Sequence, residues 1–401
     1  MDCLHFNDFQ HLLVNISNMT IIPCSTGTIY QFPSFNTAPK GWTTNSTQYL
    51  YVRPCYEERL QMIRYLLSMG DPHSNPPKPE QKFSGGSMVT ITGNPGIGKS
   101  YFLIYLIAFI LWKVDSHRND PHVMAYYDRD IVYSSGPSVF YSFNPTRGTI
   151  TKNKDIIMEC LDYPKTWFLV NAADETIPSC SCRVISAASP KRISALQTIP
   201  GGRDIRKISL VRWMPIWTHE EVNASARYLY PNLRHGPNED PVVVGTARCV
   251  KRYELYGGIA RIIFARSQDE DLIDEEKYVL DNSSPSDIIE SVVKGLIMQM
   301  AAQRFVYHHI EPRYLCDDES KRFTNEELFE RDYEREEKRV ILWMNDRIKE
   351  IVWSNFSTQH KSQVAGDSRC SGPQCLSRDC IGTSSSSNFS IWRIFSSPIF
   401  G

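Results

Sequence analysis

The sequence lacks any long apolar run: the longest, Tyr101–Trp112, covers 12 residues. A helix needs about 20 to cross a bilayer, so this run reads as a buried helix and no membrane span is expected. The chain also lacks an excess of charge of either sign, with 44 Lys and Arg against 45 Asp and Glu and a net charge of −1. That balance removes a global electrostatic case for nucleic-acid binding and leaves only local patches. Cysteine is too sparse for a secreted disulfide scaffold: 11 residues, an odd number, are scattered over 401 positions. Such usage fits a reducing compartment. The opening M-D-C-L-H-F-N-D-F-Q has neither a basic n-region nor an apolar h-region, so no signal peptide is read. There is no internal repeat, and no N-K-x-D element that would read guanine.

What is present is ordinary globular material, 41% hydrophobic and 22% charged, long enough for two or three domains. Residues 1–45 mix N-S-T and F-N-T-A-P-K-G segments that suggest loops. A helix is expected after Pro54, with Leu60, Ile63, Leu66 and Leu67 on one face, and a Pro/Gly-rich connector follows it. Strands are expected at Met88–Thr92, Val123–Tyr127, Ile131–Ser134, Val139–Phe143, Trp167–Val170, from Cys182 onward and at Ile208–Trp217. The Gly136-Pro137 turn suggests a hairpin. Helices are expected at Lys99–Trp112, Lys154–Leu161 and from Thr218. Strands alternating with helices predict an α/β fold, a mostly parallel sheet flanked by helices. Residues 240–310 read as helical and 317–350 as a charged, solvated helix. Beyond Phe356 the Ser-, Gly- and Cys-rich composition reads as a disordered tail.

The chemistry concentrates in G-N-P-G-I-G-K-S, which fits G-x-x-x-x-G-K-[ST] in full and lies between a strand and a helix. Gly93, Gly96 and Gly98 permit backbone angles that other residues resist, so successive N–H groups can turn inward as an anion nest around Asn94, Pro95 and Ile97. The helix that starts with Lys99, Ser100 and Tyr101 adds its N-terminal dipole. Lys99 would reach the β- and γ-phosphates of a nucleotide, and the Ser100 hydroxyl would ligate Mg²⁺.

Such a loop needs an acid at the end of a nearby strand. Directly after W-F-L-V stands Asn171, with Asp174 and Glu175 three and four residues on. An amide oxygen can accept or ligate but carries no charge. Two readings stay open: Asp174 and Glu175 serve as metal and catalytic carboxylates, or the site binds nucleotide and hydrolyses it poorly. Ser186 and Ser189 are candidate γ-phosphate sensors, and Lys191, Arg192 and Arg212 candidate charge-stabilising groups. Arg261, in Y-G-G-I-A-R, is better placed: the glycine pair suggests a helix that stops and restarts, with an Arg aimed at the nucleotide. Cys180-Ser-Cys182, the tail cysteines Cys370, Cys375 and Cys380 with His360, and the His308-His309 pair lack the spacing of common metal sites.

In order, R-P-C-Y-E-E-R, the glycine loop, the W-F-L-V strand, S-P-K-R, W-M-P-I-W-T-H-E-E and Y-G-G-I-A-R resemble Crinkler-type effectors and the related retrotransposon-hot-spot proteins, over residues 50–310. The resemblance implies a P-loop NTPase of the AAA/STAND broad type, binding ATP and Mg²⁺ and hydrolysing the nucleotide. Met214, Pro215, Trp217 and Glu221 would form the element after the sensor strand, and Arg261 would be a second sensor. Composition and this order of motifs together divide the chain into an N-terminal segment 1–45, an NTPase core 46–235, a helical sensor region 236–312, a charged helical segment 313–355 and a tail 356–401. The resemblance further implies self-assembly, a host nuclear protein or DNA as partner, and secretion into a host cell with action in its nucleus. Family members usually carry Asp where Asn171 stands here. A nuclease constellation expected past Pro312 is not found, and neither is an L-F-L-A-K-like translocation segment near the start.

Overall fold

The computed structural model describes residues 18–32, 49–66, 88–163, 165–172, 180–190, 209–229, 241–264, 306–310 and 339–350, with 122–123, 125–126, 128, 137–138, 345–346 and 349 excepted. It is a mixed α/β protein built on a seven-stranded sheet. Strands β4 (Met88–Thr92), β5 (Ile131–Gly136), β6 (Val139–Asn144), β7 (Thr149–Thr151), β8 (Trp167–Ala172), β9 (Arg183–Ala188) and β10 (Ser209–Trp213) lie in the order β10-β4-β9-β8-β5-β6-β7. The five from β10 to β5 are parallel, and the β5–β6–β7 meander is antiparallel. β9 therefore sits between the strand that enters the glycine loop and the strand that carries Asn171 near its end.

Both faces of the sheet are covered, which is why its strands read as apolar runs rather than as an alternation. Val89, Ile91, Leu169, Ile185 and Ala187 pack in one cluster with helix α2 (Lys99–Ser116). The alternate residues Met88, Phe168, Val170, Val184 and Ala188 pack with Ile157 and Leu161 of α3 (Lys154–Leu161). Asn153 caps α3, its Oδ1 accepting from the Asp155 N–H at 2.9 Å. The apolar helix α2 is covered on several sides, touching β8, β9, the strand β3 (Tyr49–Val52) and helix α1 (Pro54–Leu66). Phe102 through Ala108 are all buried. Each Phe, Leu and Ile among them contributes about 1.5–3 kcal/mol when fully withdrawn from water.

The structure departs from the sequence reading in four places. The N-terminal segment expected as loops contains β1 (Thr20–Pro23) and β2 (Thr28–Gln31), which with β3 form an antiparallel sheet across position 45. Tyr30 from β2 and Tyr56 from α1 lie with ring centroids 5.9 and 5.7 Å from Tyr105 of α2, so this segment belongs to the central core. The run Val123–Tyr127, expected as a strand, is helical at Met124 and Tyr127, as is Pro121 before it, and Met124 N–H donates to Asp120 O. Proline at a first helical position explains it: its fixed φ suits the helix and its missing N–H costs nothing there. Val306–Ile310 (β11) and Arg339–Trp343 (β12) pair as antiparallel strands inside two stretches read as helical. In β12 the run V-I-L-W outweighs the charges around it, because β-branched and aromatic residues favour a pleated surface. The Ile208–Trp217 strand ends at Trp213, leaving Met214–Trp217 as a buried, extended segment.

The described chain continues through α4 (His219–Leu229), α5 (Pro241–Tyr256) and the short α6 (Ala260–Ile263). Among the described residues no helix is long and apolar enough to cross a membrane. The tail beyond 356, with His360 and the cysteines at 370, 375 and 380, lies outside the described residues.

Candidate functional site

The glycine loop leaves the C-terminal end of β4 and enters α2, with Gly93, Gly96 and Gly98 at φ of +138°, +79° and +106°. Only glycine holds such angles without strain. Space is short as well as φ unusual: a Cβ on Gly96 would stand 2.9 Å from the Arg261 Cβ, and one on Gly93 would stand 2.8 Å from Met214 O. Asn94 and Ile97 are buried, and Pro95 is half-buried. Tyr101, also half-buried, lies in the first turn of α2.

Lys99 folds back over the loop, its Nζ donating to Gly93 O at 2.8 Å and Asn94 O at 2.7 Å. The residue is half-buried, and its ammonium is the part withdrawn from water. Burial first, and the Arg261 guanidinium second, push its pKa down to about 7. Ser100 Oγ donates to Asn171 Oδ1 at 2.9 Å. Register explains that contact. Asn171 pairs with Ala187, Ala187 pairs with Ile91, and alternation turns all three to the α2 face. The residue that replaces the expected acid thus touches the residue expected to hold the metal.

The other candidates separate. Ser186 pairs with Val170 and Thr90, which places it on the α3 face, away from the loop, and its buried hydroxyl has no hydrogen-bond partner among the described residues. Ser189 follows β9 two residues beyond Ala187, at the end of the sheet where the loop lies. Arg212 is buried and pairs with Ile91 in the strand register. Asp174, Glu175, Lys191 and Arg192 lie outside the described residues. His308 and His309 lie on β11, paired with Ile341 and Val340. Cys180 and Cys182 are free thiols.

The stop and restart suggested by Y-G-G-I-A-R is present and brings Arg261 beside the loop. Helix α5 stops at Tyr256, Gly257 takes a left-handed φ of +73°, and α6 restarts at Ala260. The Arg261 N–H donates to Gly96 O at 3.1 Å, fixing α6 to the glycine loop. A Cβ on Gly258 would stand 2.2 Å from Trp217 O, so the glycine pair also permits a close approach to the M-P-I-W segment.

Two residues at the loop had not been singled out as site residues from the sequence, although both stand in R-P-C-Y-E-E-R. Arg53, 1% exposed, lies against Glu221 in a two-point ion pair, Nε to Oε1 and Nη2 to Oε2, each 2.9 Å. Its remaining donors go to the carbonyls of Pro215, Ile216 and Ile97 at 3.0, 2.8 and 3.4 Å. Glu221 also caps α4: its Oε2 accepts from the Thr218 N–H while its own N–H donates to Thr218 Oγ1. Tyr56 donates its hydroxyl to Gly98 O at 2.8 Å. Trp217, lying under the Arg53 guanidinium, donates its indole N–H to Ile97 O at 2.9 Å.

No family model matches the chain. Two curated proteins of Phytophthora infestans, Crinkler effector protein 15 and Crinkler effector protein 16, are each 25% identical to it over 180 residues, 43% of this chain and 24% of theirs. The match spans about a quarter of the length of these relatives. The likeness is to Crinkler effectors in part of the chain. Among solved structures, the Saccharomyces cerevisiae Hsp104–ADP complex superposes with a TM-score of 0.32 at 13% identity, over 60% of this chain and 34% of that one.

Proposed function

We propose that the chain is a Crinkler-like P-loop NTPase that binds ATP with Mg²⁺ in the Gly93–Ser100 loop and hydrolyses it. The observation that carries this reading is the loop itself: three glycines at positive φ between β4 and α2, with Lys99, Ser100 and Arg261 gathered at it. The roles follow from chemistry. Loop N–H groups and the α2 N-terminus take the phosphates. Lys99 leaves its two carbonyls for the β- and γ-phosphate oxygens, and Arg261 faces the same charge. ATP is preferred over GTP for want of a guanine-reading element.

The donors at the loop fit a hard cation that takes most of its ligands from phosphate and water: Ser100 Oγ and Asn171 Oδ1 are two oxygens 2.9 Å apart. Mg²⁺, when bound, would neutralise charge on the β- and γ-phosphates. Asp174 and Glu175 remain our candidates for the anionic partner and for the group that orients water.

One observation favours a second reading, a nucleotide-gated interaction module with little turnover: an uncharged amide, not a carboxylate, meets Ser100. Self-assembly, secretion, and a host nuclear protein or DNA as partner belong to the proposal through the Crinkler likeness. The retrotransposon-hot-spot likeness rests on the order of motifs alone.

The test is ATP binding and hydrolysis by the full chain beside Lys99→Ala. The full chain is required because Ile29, Tyr30 and Phe32 are buried in the core. Binding and turnover, both lost in the variant, are expected. Binding without turnover selects the second reading, and unchanged hydrolysis in Lys99→Ala would sink both.

A further inference from the structure

Why a buried ion pair should stand behind a glycine loop is not explained by stability. Withdrawing Arg53 and Glu221 from water costs about as much as their attraction returns, and such pairs are better accounted for by the geometry they impose. The geometry here converges on two carbonyls. Ile97 O accepts from Trp217 Nε1 and Arg53 Nη1. Gly98 O accepts from the Tyr56 hydroxyl at 2.8 Å and from the Phe102 N–H at 3.0 Å.

Each of these carbonyls shares a peptide plane with the next N–H. No peptide bond in the described chain is cis, and in a trans peptide C=O and N–H point in opposite directions. Drawing Ile97 O toward Arg53 and Trp217 turns the Gly98 N–H away from them. Drawing Gly98 O toward Tyr56 does the same for the Lys99 N–H, one of the unpaired donors at the start of α2. Gly98 flanks both peptides and loosens their rotation, so the Phe102 N–H on Gly98 O is supplemented by donors from outside the loop. Arg53, Tyr56 and Trp217 are held in turn by burial, by Glu221 and by the α4 cap.

We propose that Arg53, Tyr56 and Trp217 are positioning residues for phosphate: they lock two loop peptides in the orientation that offers the Gly98 and Lys99 N–H groups to an anion. The inference deepens the nucleotide reading above and rests on it. They touch no phosphate themselves. Their effect is on the polyphosphate part of a ligand and is independent of its base.

The experiment uses the full chain and two probes, MgATP and inorganic pyrophosphate, with calorimetric dissociation constants and thermal midpoints. Tyr56→Phe and Trp217→Phe each remove one donor and keep an aromatic ring in place. Arg53→Lys keeps a charge opposite Glu221 and gives up the second donor to Ile97 O. Each variant is expected to bind both probes about three- to tenfold more weakly, the usual effect of one lost hydrogen bond, at temperatures where it is fully folded. A merely structural role would lower the thermal midpoint and leave both constants unchanged, and that result overturns the inference. Tyr56 and Trp217 act on different carbonyls, so if one variant fails to fold the other still decides. Wild-type chain that binds neither probe refutes the nucleotide reading and this inference with it. Wild-type binding that the three variants match refutes the inference alone.

Discussion

The ammonium of Lys99 gives the sharpest test of the glycine loop. In the nucleotide-free chain burial and Arg261 bring its pKa from 10.5 to about 7. A polyphosphate beside it restores the charged form, because an opposite charge within a few ångströms favours ionisation. Binding above pH 7 must then draw a proton from solution. For a lysine at about 7 that is fully charged in the complex, uptake is ~0.9 proton per nucleotide at pH 8, ~0.5 at pH 7 and ~0.1 at pH 6. Affinity falls toward tenfold per pH unit above pH 8. The sign for stability follows from the same protons. Between about 7 and 10.5 the unfolded lysine holds more protons than the folded one, so the nucleotide-free chain gains stability as pH rises through that window. The stabilisation given by ATP is therefore largest at or below pH 7 and shrinks above it. Calorimetry at pH 8 in HEPES and in Tris, which differ in ionisation heat, reads the uptake directly. Lys99→Arg, charged at every pH, should show none. Full-strength ATP binding with no uptake at pH 8 would refute the reasoning.

Asn171→Asp places a carboxylate at the Ser100 hydroxyl and should raise Mg²⁺-dependent ATP turnover about tenfold or more, equivalent to at least ~1.4 kcal/mol of barrier; a steady-state phosphate-release assay showing no gain would clear Asn171 of limiting hydrolysis. Glu221→Ala strands the Arg53 guanidinium in the core and removes the α4 cap, so urea unfolding should show a loss of about 3–5 kcal/mol. Joint replacement, Arg53→Met with Glu221→Leu, should recover the part of that loss due to the stranded charge but not the part due to the α4 cap, and failure to recover any would show that the packing rather than the charge was at stake.

The glycine loop was legible in the sequence because its cause is local: glycine spacing dictates φ, and the apolar runs on either side dictate strand and helix. The Y-G-G-I-A-R stop and restart was legible for the same reason. The strand order was not, since no local period records that β9 enters between β4 and β8. Nor could the sequence show that Ser186 faces α3 while Ala187 and Asn171 face α2, which follows only from register. Short apolar runs misled in both directions: Met124 and Tyr127 are helical behind Asp120-Pro121 where a strand was expected, and V-I-L-W is a strand amid charges. Arg53 stood in a quoted motif, but its partner lies 168 residues away, a distance across which composition carries no signal.

That separation has a consequence for how the chain acquires its competence. The glycine loop occupies residues 93–100, yet the groups bracing it come from residues 53–56, 214–221 and 261. Closing such distant contacts is slow, because the entropy of the intervening chain is lost before the contact is gained. During synthesis the loop follows Arg53 and Tyr56 but emerges long before the rest of its brace. A nascent chain stopped near residue 200 would hold the whole motif with Arg53 and Tyr56 but without Trp217, Glu221 and Arg261, so the ability to grip phosphate would arrive late, when the M-P-I-W segment and α6 are added.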